Sequence, residues 1–185
     1  GNMVIDMGGG TSDIAILSLG DIVSSQSLRI AGDKMNSDIV GYIKGQHGLI
    51  IGEHSAENIK MEIGTALRVD DPKKMEVRGR DAVSGMPRSI EIDANEVESA
   101  LHETLQQIIN AAMNVLETVP PELASDIIDR GVMLTGGTAL LAGIDQLFSE
   151  HLKVPVVVSQ DPLDNVAKGA GELLERMQKT GKKRK

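Results

Sequence analysis

The 185-residue sequence contains no cysteine. Disulfides, thiolate metal sites and a cysteine nucleophile are therefore excluded, and the composition fits a reducing compartment. Aromatic residues are nearly missing, with one Tyr, one Phe and no Trp. That argues against base-stacking platforms and aromatic cages for cations. No apolar run reaches the length of about 18 residues that a membrane-spanning helix needs. Nor does a secretory leader open the chain, because Asp6 and then three glycines interrupt Val4, Ile5 and Met7. Basic residues are the minority, 19 Lys and Arg against 27 Asp and Glu, for a net charge of −8. Such a surface repels phosphate backbones, so nucleic acid is not an expected partner.

Hydrophobic residues make up 41% and charged residues 25% of the chain, enough for a packed core. Glycine stands out at 20 residues, and the glycines are clustered. Met3–Asp6, Ile14–Leu17 and Ile22–Ile30 are short apolar or β-branched runs separated by Gly8-Gly9-Gly10 and by Gly20-Asp21, the pattern of strands joined by tight turns. From Lys34 the period changes. Met35, Ile39, Val40 and Ile43 share a helical face, with Gly45 and Gly48 as its stops. Ser55 is a candidate N-cap for a short helix ending before Gly64. Met75–Arg78 and Ser89–Ile92 alternate like a hairpin around the Gly85 loop.

Asp93 and Glu96 have the spacing of a capping box, followed by a stripe from Val97 through Leu101, Leu105, Ile108 and Ala112 to Leu116. Pro120-Pro121 ends that helix. Val132–Leu134 reads as a strand, Ala139–Leu152 as a helix, Val154–Val158 as a strand and Asp161-Pro162 as the start of a last helix to about Met177. Strands alternating with helices predict an α/β fold, a sheet flanked by helices. Residues 34–92 are more charged than their flanks and read as a small α+β insertion between core segments 1–33 and 93–178. Residues 179–185 form a basic tail, expected to be solvated and disordered, with attraction to anionic lipid as the sharper alternative.

Three features carry candidate chemistry. In Asp6-Met7-Gly8-Gly9-Gly10-Thr11-Ser12-Asp13, three glycines permit positive φ and let backbone N–H groups approach an anion. Asp6 could hold hydrated Mg²⁺, which takes one or two carboxylates plus water and phosphate oxygens. An ordinary glycine hairpin with solvated acids is the alternative. The required Gly-Lys-Ser/Thr of a P-loop is missing, and a strand rather than a helix follows the turn, unlike a Rossmann motif. In Thr135-Gly136-Gly137-Thr138-Ala139-Leu140, a strand gives way to a helix start, a place that favours anions, although Gly-Gly also serves as a plain connection. Glu57 and Lys60, one helical turn apart, could grip a ribose or phosphate, or merely form a surface salt bridge.

Together these residues resemble a known superfamily, the actin, sugar-kinase and heat-shock-chaperone ATPases. Asp6–Asp13 resembles its second phosphate motif, and Gly136-Gly137-Thr138 its adenosine motif. Pro120–Gly131, Arg29-Ile30-Ala31-Gly32-Asp33 and the stretch from Asp161 to Gly169 are similar to MreB- and Mbl-type bacterial actins. The resemblance covers nearly the whole chain. It implies the second, C-terminal domain of the actin-like fold, a mixed sheet flanked by helices with a small insertion. The expected function is that of an ATP-binding filament under the inner face of the cell membrane that guides wall synthesis and rod shape. It implies ATP or ADP with Mg²⁺ as cofactors. Asp6 would position Mg²⁺ through water, and Gly8, Gly9, Gly10 and Thr11 would surround the phosphates. Gly32 and Asp33 would lie near the ribose. Glu57 and Lys60 would reach the nucleoside, and Gly136, Gly137, Thr138 and Leu140 would line the adenosine. Implied partners are further copies of the full-length protein, a RodZ-type membrane adaptor and wall-elongation proteins.

Asp13 departs from the Glu common in MreB proteins; the chaperone branch carries Asp there. The first-half phosphate loop and its water-orienting carboxylate have no counterpart in these residues. The chain alone is therefore expected to be monomeric, to bind ATP weakly and to hydrolyse it negligibly. A chaperone-type ATPase, a metabolite kinase of the same fold, and a binding module whose glycine turns are purely structural are the alternatives.

Overall fold

The computed structural model describes residues 1–172; the end of the helix expected to run to about Met177, and the basic tail, lie outside the described residues. The chain opens with an antiparallel meander, β1 (Asn2–Met7), β2 (Ser12–Ser18) and β3 (Asp21–Leu28). Met3, Ile5 and Met7 of β1 and Ser12, Ile14 and Ile16 of β2 are buried at every second position, the period of a sheet with one covered face. α1 (Gly32–His47), the two-residue strand β4 (Leu49–Ile50) and α2 (Glu53–Ile63) follow. The hairpin of β5 (Lys74–Asp81) and β6 (Pro87–Asp93) leads into α3 (Ala94–Glu117). α4 (Pro121–Arg130), β7 (Val132–Thr135), a 3-10 turn (Gly137–Leu140), α5 (Ile144–Leu152) and β8 (Val156–Val158) complete the sequence of elements, with helix again at residues 165–172.

Two sheets result. The larger has the order β3-β2-β1-β7-β8, antiparallel through β1 and parallel from β1 to β8; the smaller is β4-β5-β6. α3 links them. It packs on β2, β3, β6, α1, α2 and α5, and its Val97, Leu101, Leu105, Ile108 and Ala112 are buried. Each large aliphatic side chain so buried contributes about 1.5–3 kcal/mol, which is why this stripe organises the molecule. The capping box forms: Asp93 accepts from the Asn95 and Glu96 amides, and Glu96 accepts from the Asp93 amide.

Several boundaries differ from the expected ones. α1 runs through Gly45 and stops only at Gly48, whose φ of 61° makes the left-handed cap. A helical glycine costs only about 1 kcal/mol, less than buried Ile43 contributes on the same turn. α2 begins at Glu53, before Ser55, with Gly52 at the N-cap. Pro121 does more than end α3: it sits at the first position of α4, where a missing N–H costs nothing. The helix expected over Ala139–Leu152 is two pieces, broken at Gly143 with φ 73°.

A cleft where two glycine turns meet

β1 and β7 are parallel neighbours, and Asp6 stands opposite Thr135 at their carboxyl ends. The turns that follow them, Gly8–Thr11 and Gly136–Gly137, therefore emerge side by side. Ligands of open α/β sheets bind beyond this end of the strands. The contact between the turns is close. A Cβ at Gly136, whose φ is 85°, would lie 2.3 Å from the Met7 carbonyl oxygen and 2.6 Å from Asp6 Oδ1. Thr138 Oγ1 donates to the Gly8 carbonyl at 3.1 Å.

α1 starts against the same turn. Its first amides, Gly32 and Asp33, donate to the Gly8 and Gly9 carbonyls at 3.1 and 2.8 Å. α2 reaches in from the other side, and Lys60 Nζ donates to the Gly32 carbonyl at 2.9 Å. Lys60 thus binds backbone rather than closing a surface salt bridge with Glu57. A Cβ at Gly32 would lie 3.3 Å from Gly8 O, Lys60 Nζ and Thr138 Oγ1 alike, so four segments of the chain converge at this point.

The convergence leaves a cleft of about 800 Å³. Asp6, Gly8 and Gly9 line it from the first turn, and Gly32 and Asp33 from the start of α1. Glu57 and Lys60 line it from α2, and Gly136, Gly137, Thr138 and Leu140 from the second turn. Gly10 and Thr11 are outside the lining. The Gly8 amide donates to the Thr11 carbonyl at 2.9 Å, which folds the turn back, and the Thr11 hydroxyl donates to Asp13 at 3.0 Å. The residue-by-residue reading missed the apolar wall: Met61, Leu141, Pro162, Leu163 and Val166. The Asp161-Pro162 turn after a strand was the one local signal that could have located part of it.

The polar groups here are poised for an anion and its counterion. The amides of Gly9, Gly10 and Thr11, and those of Gly137 and Thr138, have no acceptor among the described residues. Successive unspent N–H groups at a turn form an anion-binding concavity. Asp6 sits directly opposite Asp13 across the β1–β2 ladder. Its carboxyl pKa is raised, first by burial and then by that neighbouring charge. A cation near Asp6 would relieve both effects. No group of three acidic or histidine ligands that could hold a metal by itself occurs among the described residues. A hydrated ion shared with phosphate oxygens needs only the one carboxylate. The Lys60 ammonium is pushed down by burial, opposed by Glu57, Asp33 and Glu53.

The mixed sheet with helices on it and the paired turns at its carboxyl edge define an actin-like α/β protein. Solved structures carry the same fold. MreB5 of Spiroplasma citri bound to AMPPNP superposes with a TM-score of 0.95 at 36% identity, covering 99% of this chain and 55% of that one. Its ADP-bound form gives 0.94 at 36%, covering 100% and 56%. Among curated proteins, the cell shape-determining protein Mbl of Bacillus subtilis (strain 168) is 52% identical over 184 residues, 100% of this chain and 55% of Mbl. The cell shape-determining protein MreB of Escherichia coli (strain K12) is 48% identical over 181 residues, 98% of this chain and 52% of MreB. Residues 1–182 match the MreB/Mbl protein family, and the chain belongs to it. It spans about half the length of these curated relatives.

Proposed function

We propose that this chain forms one side of the ATP site of a filament-forming, cell-shape-determining protein, and that it is the C-terminal half of that protein. The observation that carries the reading is the meeting of both glycine turns, α1 and Lys60 around one cleft, with the Gly9, Gly137 and Thr138 amides unspent on its lining and those of Gly10 and Thr11 unspent beside it. The nucleotide-bound forms of MreB5 support the same ligand class.

In this reading the Gly9, Gly10 and Thr11 amides receive the phosphates, with Gly8 shaping the turn around them. Gly32 and Asp33 face the ribose, and Glu57 and Lys60 approach the nucleoside from α2. Gly136, Gly137, Thr138 and Leu140 border the adenine. Asp6 would be the residue that holds Mg²⁺, whose chemistry there would be to neutralise charge on the phosphates. Residues 1–33 and 93–178 are the core subdomain, and residues 34–92 form the rim that carries Glu57 and Lys60. The remaining half of the site comes from sequence that the longer relatives possess, so this chain by itself binds weakly and turns over negligibly. Self-association into filaments, a RodZ-type adaptor, wall-elongation partners and a place at the inner face of the cell membrane belong to the full-length protein.

The test is an amide NMR titration of the 185-residue chain with Mg·ADP. Shifts are expected at Gly9, Gly10, Thr11, Asp33, Gly137 and Thr138, with a dissociation constant near or weaker than about 1 mM. An unchanged spectrum at about 20 mM Mg·ADP, enough to populate even a site of several millimolar, overturns the reading.

A further inference from the structure

The apolar wall of the cleft is held by side chains that do not line it. Leu163 and Val166 leave 70% and 64% of their surface exposed, although both are aliphatic and face the cleft. Leu163 Cδ2 lies 3.3 Å from where a Gly137 Cβ would be, so the wall stands against the second glycine turn. The segment carrying it is anchored at the Pro162 carbonyl oxygen and at the Asn165 side chain. That oxygen accepts from the Gly136 amide at 2.9 Å and from the Thr135 hydroxyl at 3.1 Å.

The Thr135 hydroxyl has a single proton, and a partner that can only donate to its oxygen leaves that proton directed at Pro162. Asn165 Nδ2, a donor without acceptor capacity, is that partner at 2.9 Å and bonds Ser159 Oγ at 2.7 Å. Ser159 is itself fixed, its amide donating to Leu134 of β7 at 2.9 Å. Thr135 is buried, so a misdirected hydroxyl would leave the Pro162 oxygen short of one donor.

We infer that Thr135, Ser159 and Asn165 are positioning residues that set Leu163 and Val166 against the Gly136–Gly137 turn, and thereby govern affinity for a flat, apolar-faced nucleoside base. This rests on the nucleotide reading above and adds which residues fix its base-binding wall. An aliphatic wall replaces the aromatic one this composition cannot supply. Thr135, Ser159 and Asn165 make no side-chain bond to the first turn, Gly8–Thr11, where the phosphates are placed.

The experiment separates the two ends of the ligand. The full chain and its Asn165→Asp, Thr135→Val, Thr135→Ser and Leu163→Ala variants are titrated with adenosine and, separately, with Mg·pyrophosphate, and thermal midpoints are recorded. Asn165→Asp turns a donor into an acceptor and draws the Thr135 proton away from Pro162. It, Thr135→Val and Leu163→Ala should weaken adenosine about tenfold while pyrophosphate changes by less than about twofold. Thr135→Ser, which keeps the hydroxyl, should retain adenosine affinity. Leu163 is exposed, so its truncation reads the wall without endangering the fold. Equal losses for both ligands, or an unchanged adenosine affinity in Leu163→Ala, overturn the inference. A parent chain that binds pyrophosphate but not adenosine overturns it while leaving the phosphate site standing; one that binds neither overturns the nucleotide reading as well.

Discussion

The two glycine turns at the cleft use glycine for opposite reasons. At Gly136 the backbone itself demands it. Its φ is 85°, and an added Cβ would meet the Met7 carbonyl at 2.3 Å. At Gly8, Gly9 and Gly10 nothing of the kind holds. None of the three takes positive φ, contrary to the role the sequence suggested for them. Their added Cβ atoms would meet only Thr11 O at 3.6 Å and the Asp33 carboxylate at 3.5 to 3.9 Å, ordinary contact distances. The second turn needs glycine to fold. The first has glycines that its own contacts do not require, and its Gly9, Gly10 and Thr11 amides have no acceptor among the described residues. A glycine cluster is informative about function where the structure gives it no other work.

This contrast can be broken by substitution. Gly136→Ala should destabilise the chain by about 3 kcal/mol or more, through the strained φ and the clash of the new methyl group with the Met7 carbonyl. A urea denaturation midpoint reads the loss. Gly131→Ala is the control away from the cleft: with φ 79° and the Pro155 carbonyl oxygen 2.4 Å from an added Cβ, it should lose a comparable amount. Lys60→Ala removes the bond to Gly32 and should cost about 1–2 kcal/mol, loosening α2 from the start of α1. Gly9→Ala should move stability by no more than about 0.5–1 kcal/mol, yet weaken Mg·ADP about tenfold or more, as a methyl group enters the cradle. A destabilisation like that of Gly136→Ala would abolish the distinction drawn here.

The smallest effect is electrostatic. The Asp6 pKa is higher in the folded chain than its ordinary 3.8, so the folded state holds that proton more tightly than the unfolded state. Ionised Asp6 therefore costs stability. The cost appears as pH rises above 3.8 and is complete once pH exceeds the raised value. Asp6→Asn should slightly raise the urea midpoint at neutral pH and flatten its pH dependence in the acid range just above pH 3.8, while weakening Mg·ADP. A lower midpoint in the variant would show that the carboxylate is stabilising instead.

Much of the fold was readable because the periodicities were clean. The β1–β2 alternation, the α3 stripe and the Asp93–Glu96 capping box are local patterns, and local hydrogen bonding realises them. The misread boundaries have a common origin. Gly45, Ser55 and Ala139 carry only local preferences, while the burial of Ile43, the start of α2 at Glu53 and the positive φ of Gly143 belong to the folded chain. The candidate residues were found through motifs. The wall at Leu163 and Val166 was not assigned, because an exposed aliphatic residue after Asp-Pro looks like any loop.

By itself the sequence determined the class of this protein: an α/β chain without thiols or aromatic platforms, carrying two glycine turns and an unusual pair of aspartates. Those are properties of composition and short-range spacing, which the backbone cannot rearrange. Only the tertiary structure decided that the turns, 128 positions apart from Gly8 to Gly136, stand side by side. It also decided that Lys60 is bound to the Gly32 carbonyl and that Gly10 and Thr11 are outside the cleft. Parallel pairing of β1 with β7 places the turns together. That pairing follows from burying Ile5 and Leu134 in one shared core, a long-range outcome that no window of neighbouring residues contains.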